Sequence, residues 1–331
     1  MTVLSADALL EIRHLQAAFP IRSGVLRRVS GHVHAVDGVD LTIFPGETLA
    51  LVGESGCGKT TVGRSILRLI EPTGGNIWFR GVDLTSLPVD AFHAYRRQIQ
   101  IVMQDPGSAL DPRFSVRDAI AEGLEAFAIG ADYEERSKRV AELMGSVSLD
   151  PEAMWRFPHE FSGGQRQRIC IARALAVDPT LLICDEATSA LDVSIQAQIL
   201  NLLADLQAAR KLTYLFITHD FGVVNEVADR VAVMYAGQVV EEGTRAELLG
   251  RPRHPYTQGL LRSIPKAEAR GHRLEEIKGA VPRPGHWPSG CRFHPRCAHA
   301  FQPCPSVAPK RTAVSASQAA CCHLLDRSLG P

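Results

Sequence analysis

The stretch GESGCGKTT at 53–61 leaves a chain few folds to choose from. It fits G-x-x-x-x-G-K-[ST], follows the apolar run TLALVG at 48–53 and precedes a helical pattern over 59–70. Gly53, Gly56 and Gly58 let the backbone turn tightly, so that several N–H groups converge on one point. A helix opening near Lys59 adds the positive end of its dipole there. Such a point suits phosphate. Lys59 then supplies a mobile charge to the β and γ phosphates of a nucleotide, and the Thr60 hydroxyl can ligate Mg²⁺. Ser55, Cys57 and Thr61 complete the loop and share in the nucleotide contact.

An acid to complement this site stands in LLICDEATSALD at 181–192. A buried strand that ends in two carboxylates is costly unless those charges have partners. Asp185 is expected to hold Mg²⁺ through its water shell, and Glu186 to orient and deprotonate an attacking water. The run TYLFITHD at 213–220 ends a further strand with His219, and Gln104 in IVMQDP also follows an apolar stretch. A lone histidine at a strand end is more often structural, but the C-terminal edge of a parallel sheet is where ligands bind. In FSGGQRQRICIARAL at 161–175, Ser162 precedes Gly163 and Gly164 and opens a long helix, a second helix N-terminus able to take phosphate. Two phosphate-gripping elements in one chain suggest half-sites completed by a partner.

Further apolar runs at 181–185, 213–218 and 231–235 read as buried strands, and 162–176 and 193–209 as helices. Strands alternating with helices predict an α/β fold with a mostly parallel sheet covered on both faces. Residues 105–177 lack convincing strands and are expected to form an inserted helical subdomain between core segments 1–104 and 178–250. After Gly250 the chain turns proline-rich, and 251–331 is expected to be a small cysteine-bearing appendage.

The 331 residues are 45% apolar and 22% charged, with 36 Lys+Arg against 36 Asp+Glu. That balance argues against a nucleic-acid coat or a polybasic membrane anchor. No run of eighteen apolar residues occurs, and Asp7, Glu11 and Arg13 interrupt the start where a signal peptide needs an apolar core. A cytoplasmic protein is expected, with Cys57, Cys170 and Cys184 reduced.

The order GESGCGKT, Gln104, FSGGQ, LLICDE, SALD, His219 resembles that of an ATP-binding cassette (ABC) ATPase over roughly residues 10–250. The resemblance implies a RecA-like P-loop NTPase core and two cassettes paired head to tail. Ser162, Gly163, Gly164 and Gln165 would then close over the partner's ATP, and Asp192 would lie at the dimer seam. It makes Glu186 the hydrolytic base, His219 the γ-phosphate contact, Gln104 a Mg²⁺ and nucleotide contact, and Phe19 the ring that stacks on adenine. AVDGVDLTIFPGETLALVGESGCGKTT, SALDVSIQAQIL and RHPYTQGLL are similar to the ATPase subunits of dipeptide and oligopeptide importers. That similarity implies a second ABC ATPase, of which a paralogue is the expected form, and two transmembrane permease subunits. It also implies an extracytoplasmic binding protein and a place on the cytoplasmic face of the inner membrane, with no nucleic-acid partner. A soluble ABC ATPase of DNA repair or translation, and the same importer role with nickel, glutathione, opine or sugar cargo, are the alternatives. A non-hydrolysing regulatory cassette would need a damaged Glu186, His219 or signature, and all are present. The chain departs from the family in Ala187, where proline is usual, in Phe19 for tyrosine, and in the doubled Cys321–Cys322.

GCRFHPRCAHAFQPC at 290–304 places Cys291, Cys297 and Cys304 close together, ahead of that doublet. A reducing compartment disfavours disulfides, leaving free thiols, a zinc site or an iron–sulfur cluster. Structural zinc favours C-x₂₋₄-C pairs, and the wider spacing here suits a [4Fe–4S] cluster. The importer resemblance implies the same cluster, with Cys322 as the fourth ligand in preference to Cys321 because the family pattern puts histidine after it.

Overall fold

Buried apolar runs set the framework. The computed structural model describes residues 7–23, 28–264 and 276–326. Twelve strands follow in chain order: β1 (Leu10–Ser23), β2 (Arg28–Ile43), β3 (Thr48–Val52), β4 (Gly74–Phe79), β5 (Val82–Asp83), β6 (Ile99–Val102), β7 (Leu181–Asp185), β8 (Thr213–Thr218), β9 (Arg230–Tyr235), β10 (Gln238–Thr244), β11 (Arg311–Ala313) and β12 (Ala319–Cys321). The helices are α1 (Lys59–Ile66), α2 (Val89–Gln98), α3 (Pro106–Ala109), α4 (Val116–Ala126), α5 (Tyr133–Ser146), α6 (Gly163–Leu175), α7 (Val193–Arg210), α8 (Phe221–Val227), α9 (Arg245–Gly250) and α10 (Pro255–Arg262). Among the described residues no helix is long and apolar enough to cross a membrane.

The chain divides into two compact units. One holds the described residues up to Phe44, Thr48–Thr85 and those from Thr218 onward; the other holds Pro45–Glu47 and Ser86–Ile217. In the first unit an antiparallel sheet runs β2-β1-β4-β5, beside a mixed sheet ordered β11-β12-β10-β9-β3. There β3 lies parallel to β9, and β10 folds back antiparallel on β9 through Ala236 and Gly237. In the second unit β8, β7 and β6 are parallel neighbours, and helices α2 to α7 accompany them. Every residue of β3, β7 and β8 is buried, the pattern of strands covered on both faces.

Local chemistry ends the helices. Helix α1 stops at Ile66 rather than at residue 70, because Arg68 takes a left-handed φ of 48°. The Arg68 and Leu69 N–H groups then reach back to the Ser65 and Arg64 carbonyls, a Schellman closure. Ser115, Asp132 and Asp192 cap α4, α5 and α7 by accepting N–H bonds from Asp118, Glu135 and Ile195.

No strand lies between Val102 and Leu181 among the described residues, but that helical stretch folds as one unit with β6, β7 and β8. Nor is the C-terminal segment a separate body. Strands β11 and β12 extend the mixed sheet, and buried Phe293 packs against Tyr235 and Tyr256 in the core around β9. A segment with few apolar side chains of its own shares its neighbour's core.

Candidate nucleotide site

Gly53 and Gly58 are there because nothing larger fits. A Cβ on Gly53 would lie 2.2 Å from the Met234 carbonyl oxygen, and one on Gly58 would lie 2.4 Å from that of Ala35. Gly58 also has φ of 109° and Gly56 φ of 79°, conformations that side chains disfavour. The backbone therefore bends from β3 into α1 within a few residues. Lys59 is buried, and its ammonium donates to the carbonyls of Gly53 at 2.7 Å and Glu54 at 3.1 Å. Cys57 lines the same turn with its Sγ 3.9 Å from that ammonium. Burial raises the Cys57 thiol pKa and the Lys59 charge opposes the rise. Ser55 is exposed at the loop's tip, and Thr60 and Thr61 are half-buried in the first turn of α1.

Glu54 is held twice, by residues that sequence reasoning passed over. Its N–H donates to the Tyr256 hydroxyl on α10 at 2.9 Å. Its carboxylate takes both arms of the Arg296 guanidinium, at 2.7 and 3.0 Å. No periodicity or motif announces a pair 242 residues apart in the chain. Phe19, on β1, is an exposed aromatic residue. His219 is exposed directly after β8, where Asp220 caps α8 by accepting from Gly222 N–H.

The second unit brings Asp185, Glu186 and Gln104 together. Asp185 is buried at the end of β7. Glu186 adopts a left-handed φ of 48°, anchored by its N–H to the Ile217 carbonyl at 2.9 Å. A non-glycine residue pays of order 1 kcal/mol for that conformation. Gln104 Nε2 donates to the Glu186 carboxylate at 2.9 Å. Ala187 is buried, and the turn after Glu186 is closed by Ser189 N–H on the Glu186 carbonyl at 3.1 Å.

Ser162 caps α6 through a reciprocal pair: its Oγ accepts from Gln165 N–H at 3.3 Å while Gln165 Oε1 accepts from Ser162 N–H at 2.9 Å. A Cβ on Gly164 would meet Ile195 of α7 at 2.5 Å, whereas one on Gly163 would make only ordinary contact. Gly164 thus lets α6 approach α7, and Gly163 and Ser162 stay exposed. Asp192 spends its carboxylate on the α7 cap.

Cys291, Cys297, Cys304 and Cys322 line one small cavity, with His254, His294, His299 and His323 around it. Cys321 lines a different cavity, beside Asp40, Glu242 and Arg311. Adjacent residues in extended chain point to opposite sides, which separates the doublet. Burial raises the thiol pKa of Cys291 and Cys297 and pushes that of Cys322 up to about 12. Among the described residues no three His, Cys, Asp or Glu side chains stand close enough to hold a single metal ion.

Residues 36–189 match the ABC transporter family, and 240–304 match the family described as the oligopeptide/dipeptide transporter C-terminal region. The oligopeptide transport ATP-binding protein AppF of Bacillus subtilis is 47% identical over 98% of this chain and 99% of that protein. The glutathione import ATP-binding protein GsiA of Escherichia coli is 51% identical over 83% of this chain, which spans 44% of its length. Among solved structures, the dimeric post-hydrolysis state of the ATP-binding cassette MJ0796 with ADP and Pi superposes with a TM-score of 0.63. That match is 29% identical and covers 71% of this chain and 98% of the other. cbiO1 from Clostridium perfringens, part of the transporter complex cbiONQ, gives a TM-score of 0.62 at 28% identity over 74% and 92%.

Proposed function

We propose a function for this chain from one premise: it belongs to the ATP-binding cassette transporter family. It is the ATP-hydrolysing, energy-coupling subunit of an importer, and its cargo is di- or oligopeptide. Likeness to AppF along nearly the whole chain, and the match of 240–304 to the oligopeptide/dipeptide transporter region, support that cargo. The glutathione importers favour a second reading, glutathione, itself a small peptide.

In this reading amides towards the α1 end of 53–61 and the Lys59 ammonium take the β and γ phosphates, with Phe19 against adenine. Thr60, Gln104 and Asp185 serve Mg²⁺, which when bound neutralises phosphate charge and orients the chain of oxygens. Glu186 accepts the proton of the attacking water, and the bond from Gln104 orients its carboxylate. His219 contacts the γ-phosphate. Ser162, Gly163, Gly164 and Gln165 present the α6 N-terminus to the ATP of a second cassette, with Asp192 at the seam. ATP binding closes that pair and hydrolysis reopens it. A paralogous ATPase, two permease subunits and an extracytoplasmic binding protein complete the assembly at the cytoplasmic face of the membrane.

The four cysteines at one cavity are proposed to hold a [4Fe–4S] cluster. What supports the reading is that four thiols, the ligand type and number a cubane takes, line the same cavity. When bound it would cross-link the loop at 291–304 to the strand end at Cys322.

The observation that carries the nucleotide assignment is the loop whose glycines admit no side chain and whose carbonyls hold Lys59. Titration of the purified subunit with MgATP tests it. Lys59→Ala should weaken binding by about a hundredfold, the loss of a charge-assisted contact of roughly 3 kcal/mol. Unchanged affinity would remove the loop from the site.

A further inference from the structure

The nucleotide loop and the cysteine-lined cavity are joined by two short chains of contacts within one compact unit. In the first, Arg296 is the immediate neighbour of Cys297. Its side chain is 5% exposed, and every nitrogen of its guanidinium is engaged. Nε donates to the Lys278 carbonyl and Nη2 to that of Ile277, which fixes the guanidinium plane on the chain it comes from. The two Nη groups then grip the Glu54 carboxylate as a fork. Glu54 in turn offers its carbonyl to the Lys59 ammonium at 3.1 Å. Two residues, Arg296 and Glu54, therefore lead from a cavity cysteine to the lysine proposed to meet phosphate.

The second chain starts from Cys291. Its neighbour Arg292 lies on the Trp287 ring at 3.8 Å, pairs with Asp37 and donates to the Ala236 carbonyl at 2.5 Å. The next residue, Gly237, gives its N–H to the Cys57 carbonyl in the nucleotide loop at 2.9 Å. The loop is thus held near its start by Arg296 and near its end through Arg292.

We infer that Arg296 is a positioning residue for the nucleotide site, and that the loop from Cys291 to Cys297 sets the shape in which 53–58 meets ATP. The inference rests on the ATP-binding reading above. The physical reason is entropy: a loop with glycines at 53, 56 and 58 has many backbone states to lose on binding. Fixing Glu54 at both its N–H and its carboxylate removes much of that freedom before the nucleotide arrives, so binding need not do so. Release of the fork leaves the loop in its binding shape only part of the time, and the apparent affinity falls by that fraction. Gln104 and Glu186 lie in the other compact unit and keep their own bond, so turnover at saturation is retained. Contact chains alone do not establish coupling; a measured interaction energy does.

The experiment is a double-mutant cycle of Arg296→Gln and Glu54→Gln in the full chain, read by MgATP titration and by the KM and kcat of the assembled transporter. Each single variant should raise the ATP Kd and KM about tenfold with kcat held, and the double variant should be no worse than either. By reciprocity, MgATP should slow amide hydrogen exchange in 291–297 of the wild type, and that slowing should vanish in Arg296→Gln. Wild-type affinity in Arg296→Gln, losses that simply add in the double variant, or exchange in 291–297 indifferent to MgATP would each overturn the inference. Glu54→Gln leaves Arg296 and its loop bonds in place, so the affinity loss is still measurable if Arg296→Gln fails to fold. Lys59→Ala separates the two claims. If wild type binds MgATP and Lys59→Ala does not, the ATP reading stands whatever the cycle shows.

Discussion

His254 is a buried imidazole whose work depends on its being neutral. It precedes α10, where its Nδ1 accepts the Tyr256 N–H at 3.0 Å, and the backbone N–H of His254 donates to the buried Glu241 carboxylate at 2.9 Å. Burial lowers its pKa from 6.5 to about 4. Between those values the unfolded chain binds a proton that the folded chain refuses. The stability it contributes is therefore complete above about pH 6.5 and is lost as pH falls towards 4, by roughly 3 kcal/mol at most. His254→Asn keeps a side-chain acceptor for the helix cap but cannot titrate. Urea denaturation between pH 7 and 4 should show a flatter decline for the variant than for wild type; parallel declines would mean that His254 does not carry this dependence. Tyr256, which the imidazole caps, is the residue that holds the Glu54 N–H, so the same acidification should loosen the nucleotide loop.

Elements whose definition is local were legible in the sequence, and those made by distant pairing were not. TLALV, LLICD and TYLFIT announce buried strands by continuous apolarity, and Ser162 with Gln165 announces the start of α6 by its capping pattern. The short end of α1 was hidden because an arginine, not a glycine, takes the left-handed position at residue 68. Strands β11 and β12 were hidden as well: they are three residues each and form by distant pairing, β12 on β10 and β11 on β12. Cys322 lines the cavity shared by Cys291, Cys297 and Cys304, whereas Cys321 lines a second cavity that reaches Cys291 alone of those three. Anaerobic purification should yield brown protein with about four irons per chain. Cys322→Ser should lose the iron and Cys321→Ser should keep it. Colourless protein with one zinc, or iron untouched by Cys291→Ser, would contradict the cluster.

Across the whole molecule, the residues proposed for ATP chemistry are shared between two compact units. Lys59, Thr60 and His219 belong to one, and Gln104, Asp185, Glu186 and Ser162 to the other. Motif order along the chain is what proposes the set, since each motif sits at a strand end or helix start that its own sequence defines. The ion pair from Arg296 to Glu54 was not readable, because charge gives no address across 242 residues. Loss of a loop contact should appear in affinity, and loss of the base should appear in turnover. The most direct measurement is phosphate release from MgATP by the assembled transporter carrying Glu186→Gln, with bound nucleotide quantified in the same sample. An amide cannot accept the water's proton, so release should fall by about a hundredfold or more while ATP stays bound at wild-type affinity and holds the cassette pair closed. Near-normal release would place the base elsewhere and contradict the account.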